Sequence, residues 1–197
     1  MKISNTEVYG LKESVKKSGY PKVSDMGEMK PYVHSKDFDR AEKLSNCKLG
    51  TGHDNFLNGI IVHFDIRGSQ YFWMQWGRYN HIHEGGTDSL TDIVSSQSKM
   101  HCITGMDIKK QCNKYVFDSQ IEFAENLVKK YKNGQIILDE LIANLPTGLT
   151  LTAGIVTNYR QLKTIYHQRR NHDLQCWQVF CDWIESLPYS RLITDGS

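Results

Sequence analysis

Two apolar periodicities run along this 197-residue chain. The helical one is clearest near the end. Leu162, Ile165, Tyr166 and Arg169 recur at helical spacing and share one face, while Arg160, Thr164, His167 and Asn171 share the opposite face. This predicts a helix over residues 157–170. A second follows it, with Trp177, Phe180, Ile184 and Leu187 as its apolar stripe and Pro188 as its stop. An arginine therefore ends an otherwise apolar stripe. A guanidinium cannot shed its charge, and burying it without a partner is costly. Either Arg169 pairs with a core carboxylate or reaches out to solvent, or it meets a bound anion or a base edge.

The strand-like periodicity is clearest at Phe56–Arg67, where Val62, Phe64 and Ile66 alternate with His63, Asp65 and Arg67. Ser69–Tyr79 then reads as a helix, with Phe72, Gln75, Trp76 and Tyr79 on one side and Tyr71, Met74 and Arg78 on the next. Asp37–Leu44 reads as a short helix, with Ser35 or Asp37 near its N-cap. Gln120–Tyr131 and Gln135–Asn144 read as helices parted by Gly134, and Leu145-Pro146 stops the second. Thr147–Ile155 reads as extended. Residues 1–36 are polar and broken by glycine and proline, with one strand expected at Glu7–Gly10. Residues 81–92 read as a loop, and an irregular link follows it. No repeat or domain boundary interrupts the pattern, so residues 1–197 form one expected domain of the α+β class, with 1–36 a loosely defined N-terminal segment.

Composition narrows the function classes. Hydrophobic residues at 39% and charged residues at 23% fit a globular protein with a real core. Lys+Arg 24 against Asp+Glu 22 argues against a coat for nucleic-acid polymers, though not against a small anionic ligand. The N-terminus lacks the apolar run of a signal peptide, and no window approaches a membrane span. Cys47, Cys102, Cys112, Cys176 and Cys181 are odd in number and lack framework spacing. Together these features imply a soluble protein with reduced thiols in a cytoplasm, away from membranes.

Three constellations invite chemistry. His81, His83, Glu84, His101 and Cys102 supply zinc-ligand types, but their spacing matches no standard site, so no metal is expected. Ser95, Ser96 and Ser98 lack the elbow that surrounds a nucleophilic serine; serines in a turn more often cap helices, and their hydroxyls also suit a phosphate. Gly50-Thr-Gly52 has neither the preceding strand nor the third glycine of a dinucleotide fingerprint.

Taken in order, several segments resemble the flavin-dependent thymidylate synthase family. They are His53 before the main strand, Ser69 through Gln75-Trp76-Gly77-Arg78, Gly134, Leu145-Pro146, Thr157-Asn158-Tyr159-Arg160-Gln161-Leu162, and Arg169. Each motif alone is weak; the ordered set spans most of residues 37–187. The resemblance implies a central antiparallel sheet flanked by helices, the thymidylate synthase-complementing architecture, in a homotetramer with its ligands at subunit junctions. It implies FAD reduced by NADPH, and transfer of a one-carbon unit from methylene-tetrahydrofolate to C5 of dUMP. By motif position, His53 lies near the flavin and the folate entry, and Arg78, Tyr79 and Asn80 belong to the cofactor-contacting signature. Asn158, Arg160, Thr164 and His167 hold FAD. Gln75 meets the nucleotide, Arg169 binds the pyrimidine, and Ser96 or Ser98 faces its phosphate.

The chain also departs from the family pattern. Arg78-Tyr79-Asn80 stands where the family has Arg-His-Arg. Met100 and Ile142 stand where it has nucleotide-binding arginines, with Lys99, His81, His83 and His101 as the available substitutes. Two readings therefore accompany dUMP methylation: the same chemistry, or hydroxymethylation, on a cytidine nucleotide, and a flavin- or nucleotide-binding protein without transfer activity. A small zinc enzyme built on His81, His83 and Cys102 is the third and weakest alternative.

Overall fold

A computed structural model describes residues 1–25, 33–47, 51–79 and 92–195, with only the backbone of Arg78. Its organising element is β2 (Ile61–Ser69). Alternation sends Val62, Phe64 and Ile66 into the core, at most 2% exposed, and leaves His63, Asp65 and Arg67 on the other face. The partner β4 (Thr150–Asn158) runs antiparallel in a register that sets Phe64 opposite Ile155 and Ile66 opposite Ala153. β1 (Lys2–Tyr9) flanks β2, and β3 (Asp92–Ser96) flanks β4, so the order is β1-β2-β4-β3. All pairings are antiparallel. One face of such a sheet can carry the core while the other stays polar. Here the second face shows Arg67 opposite Thr152, Asp65 opposite Gly154 and His63 opposite Val156.

Helices cover the apolar face. α3 (Gln70–Trp76) continues directly from β2 and buries Phe72 and Trp76. α8 (Tyr159–Arg169) leaves β4, buries Leu162, Ile165 and Tyr166, and packs beside α9 (Gln175–Glu185). The α9 stripe is the expected one: Trp177, Phe180 and Ile184 are fully buried. α1 (Leu11–Lys17) and α2 (Ser35–Ser45) close one end, together with α10 (Arg191–Thr194). A second apolar cluster joins Ile103, Ile121, Leu127, Leu141 and Leu149 around α6 (Asp118–Lys132) and α7 (Leu138–Ala143). The short helices α4 (Lys99–Cys102) and α5 (Ile108–Gln111) lead into it.

Several boundaries differ from the pattern reading. The strand expected from Phe56 begins only at Ile61, because Asn55–Gly59 forms a 3-10 turn whose Leu57 is buried. Gly10, at φ +73, lies so close to the Gly59 carbonyl that a Cβ there would sit 2.4 Å from its oxygen, and this contact joins that turn to α1. The strand expected at Glu7–Gly10 is the end of an eight-residue strand. The helix expected from Gln135 shrinks to Leu138–Ala143. β3 occupies part of the expected loop and link and is exposed at all five positions. No helix among the described residues is long and apolar enough to cross a membrane.

Candidate functional site

The arginine that ends the apolar stripe sits where α8, α9 and α3 meet. Its half-buried guanidinium is 4.6 Å from the Trp177 ring centroid and 5.5 Å from that of Tyr79. Arg169 Nε donates to the Tyr79 hydroxyl at 2.6 Å, and that hydroxyl donates to Gln168 Oε1 at 3.2 Å. Trp177 Nε1 donates to Gln75 Oε1 at 2.7 Å. Helical spacing puts Phe72, Trp76 and Tyr79 into the core and turns Gln75 toward α9.

Of the two readings of Arg169, the carboxylate-paired one is absent: no Asp or Glu among the described residues pairs with it. Aromatic faces and a hydroxyl hold the cation instead. Nη1 and Nη2 make no bond to a described residue. Gln75, whose carbonyl oxygen is engaged, keeps its NH2 as a donor. The arrangement presents hydrogen-bond donors from a rigid aromatic platform, which suits a ligand edge rich in acceptors.

A second group gathers at the other end of α8. Asn158 is 1% exposed and caps that helix, accepting from Gln161 N at 2.8 Å. Its carbonyl oxygen is thereby committed, which leaves the NH2 for any ligand. Arg160 Nη1 donates to Asn55 Oδ1 at 2.8 Å, and Nη2 lies 3.7 Å from Asp54 Oδ1. Asp54 is 3% exposed, and its Oδ2 has no hydrogen-bond partner among the described residues. His53, beside it, is exposed. Thr164 turns its hydroxyl back to the Arg160 carbonyl at 3.3 Å. Partial burial and the Lys163 charge lower the His167 pKa, opposed by a hydrogen bond with the Ile193 backbone. Lys163, though charged, is 3% exposed, with Nζ donating to the Ser45 carbonyl; burial lowers its pKa.

Ser96 and Ser98 lie elsewhere. Ser96 lines a cleft of about 400 Å³ with Trp73, Met74, Ile93, Lys99 and Leu151. Lys99 Nζ donates to Gln70 Oε1 at 3.1 Å. Ser98 heads α4 through its backbone, and its carbonyl accepts from the Cys102 thiol. Met100 is 60% exposed and Ile142 is half-buried.

The structure thus brings Gln75, Tyr79 and Arg169 together, and separately places His53 in the chain beside the Asp54–Arg160 group. Arg160 and Arg169 are nine residues apart on one helix, about 13 Å along its axis. Asn80, His81, His83 and Glu84 lie outside the described residues, as does the Arg78 side chain. Among the described residues, no three His, Cys, Asp or Glu side chains gather as a metal site. Trp177 reads in sequence as one more core aromatic, and its role as the platform for Arg169 appears only in three dimensions. Asp54 and Asn55 had one signal, their place next to His53.

No family model matches the chain, and no curated protein matches it in sequence. Its fold is similar to that of the flavin-dependent thymidylate synthase ThyX from Helicobacter pylori, solved in complex with FAD and dUMP. The TM-score is 0.73 at 14% identity, covering 98% of this chain and 97% of that one. A second structure of ThyX from Helicobacter pylori, with FAD and dUMP at 2.31 Å, gives a TM-score of 0.72 at 14% identity and the same coverage. Likeness at this identity establishes the fold: a helix-flanked antiparallel sheet shared over nearly the whole of both chains.

Proposed function

We propose that this chain is a flavin-dependent enzyme that transfers a one-carbon unit from methylene-tetrahydrofolate to C5 of a pyrimidine nucleotide, with dUMP as the default substrate. The observation that carries the reading is Arg169, a cation without a carboxylate partner among the described residues, held on Tyr79 and Trp177 beside Gln75. The fold shared with an enzyme solved with FAD and dUMP supports it.

The residues present fit FAD. Arg160 is a half-buried cation braced by Asp54 and Asn55, and Asn158 and Thr164 lie within a turn or so of it on α8. Arg160 would hold a phosphate oxygen, since a guanidinium presents forked donors to such anions. Asn158 would contribute its NH2, and His53 would border the flavin. Reduced flavin, regenerated by NADPH, would supply the hydride, and that chemistry belongs to the cofactor. The protein's part is orientation. Arg169 would fix the pyrimidine through Nη1 and Nη2, Gln75 would donate beside it, and Ser96 or Ser98 would meet the nucleotide through a hydroxyl.

These groups are dispersed over one chain, and this supports a site completed by further copies, in a homotetramer. The exposed β3 edge agrees with such assembly: Val94 is 66% exposed, and Ile93 at 38% shares a cleft with Met74 at 75%. The test is the visible absorption spectrum of the protein with added FAD, followed by NADPH and dUMP. Flavin binding with bleaching and a dUMP-induced change supports the reading. Absence of flavin binding would falsify it.

A cytidine nucleotide is the second reading, favoured by the donor-only character of Arg169 and the Gln75 NH2. The N3 and O2 atoms of cytosine are adjacent acceptors, whereas N3–H of uracil needs an acceptor in return. Preferential perturbation of the flavin spectrum by dCMP over dUMP would select it.

A further inference from the structure

A cavity of about 380 Å³ opens at the end of β2, between α3, α9 and residues 112–115. It is lined by three cationic side chains, Lys2, Arg67 and Lys114, and by no Asp or Glu among the described residues. Arg67 is anchored rather than free. Its Nε donates to Thr150 Oγ1 at 2.9 Å and its Nη2 to the Lys110 carbonyl at 2.6 Å. Those bonds fix the guanidinium and leave Nη1 uncommitted among the described residues. Ser69 also lines the cavity and is only 5% exposed. It occupies the N-cap position of α3 without capping, and its hydroxyl bonds to no described residue. With no described partner, the hydroxyl is left as a donor at the cavity wall.

Two further features point the same way. Gln175 and Cys176 line the cavity from the first turn of α9, whose N-cap residue Leu174 supplies no side-chain cap. The first N–H groups of a helix attract anions. The cavity's thiols do not compete: burial pushes the pKa values of both Cys112 and Cys176 up, so they stay neutral. Glu125 acts on Cys112 from α6 but does not line the cavity.

We propose that this cavity binds a phosphoryl oxyanion through Ser69, Arg67 and Lys114. Its position suggests one source. Tyr71, in its wall, and Gln75 are one turn apart on α3, and Cys176 and Trp177 are adjacent on α9. The Arg169 guanidinium lies 4.6 Å from the Trp177 ring centroid. A nucleoside monophosphate with its ring at Arg169 would place its phosphate here, supplying the contacts that Met100 and Ile142 do not. The oxyanion site stands on the cavity's own residues; the nucleotide as its source rests on the proposed function.

The experiment is calorimetric titration of the full chain with inorganic phosphate, with dUMP and dCMP, and with the corresponding nucleosides. Ser69→Ala and Lys114→Ala are run beside the native protein, each with a thermal melt to confirm folding. A nucleotide that binds about tenfold tighter than its nucleoside, with the advantage lost in both variants, supports the proposal and names the nucleotide as the source. Inorganic phosphate binding that weakens about tenfold in the variants, with no nucleotide bound, supports the oxyanion site and removes the nucleotide. A nucleotide–nucleoside difference unchanged in both variants overturns the cavity while leaving the nucleotide reading intact. No binding of phosphate or nucleotide overturns both.

Discussion

Removing one oxygen, in Tyr79→Phe, tests whether the aromatic platform orients Arg169. Tyr79 is 2% exposed, and its hydroxyl accepts from Arg169 Nε at 2.6 Å and donates to Gln168 at 3.2 Å. A hydrogen bond involving a charged group contributes roughly 1.5–3 kcal/mol. Arg169 is half-buried, so water recovers part of that loss, and the Trp177 face at 4.6 Å still attracts the cation. Gln168 is exposed and is satisfied by solvent. The remaining cost is about 1 kcal/mol, which corresponds to roughly a fivefold weaker nucleotide affinity. Global stability falls by a similar about 1 kcal/mol, since one buried polar contact is lost without a cavity larger than an oxygen. Nucleotide titration, followed by calorimetry or by the flavin spectrum, reads the first quantity, and urea unfolding reads the second. Unchanged nucleotide affinity in a variant whose stability has dropped would show that the Tyr79 bond supports the fold and does not aim Arg169.

Three further expectations follow from the same structure. Arg169→Ala should abolish nucleotide binding and leave the thermal midpoint within a few degrees of native, because no carboxylate among the described residues pairs with it and would be orphaned; retained affinity would remove this residue from the site. Asn158→Ala should cost about 1 kcal/mol in urea unfolding through loss of the α8 cap, whatever it does to flavin affinity; unchanged stability would mean that the cap contributes nothing. Lys163→Met should reduce the pH dependence of stability on the alkaline side. The unfolded ammonium holds its proton to about pH 10.4, while burial lowers the folded value. Between the two values unfolding takes up a proton, so the native protein gains stability as pH rises through that window. The variant, measured against native protein over the same range, should lack that gain, and parallel curves would contradict the burial seen here.

Periodicity determined much of the helical frame. The stripe through Leu162, Ile165 and Tyr166 and the stripe through Trp177, Phe180 and Ile184 each placed a helix correctly, because a face buried against a core must repeat every three to four residues. β2 announced itself by alternation over Val62, Phe64 and Ile66, although its start shifted to Ile61. β3 and the first half of β1 gave no such signal. Both are edge strands with little or no buried face, so they carry no hydrophobic alternation to read.

The site divides the same way. An arginine at the end of an apolar stripe is a local anomaly, and sequence alone exposes it as a group in need of a partner. The identity of that partner is not local. Tyr79 and Trp177 are 90 and 8 residues away from Arg169 in the chain, and only the packing of α3 against α8 and α9 sets them around one guanidinium. Burial of Lys163 and Asp54 was equally hidden, since a charged residue on a helix face or in a turn looks like a solvated one. The cavity of Ser69, Arg67 and Lys114 draws on a strand, a helix N-cap and a distant link. Sequence patterns report which residues share a face of one element; which faces meet, and which charges they enclose, is decided only when separate elements exclude water from between them.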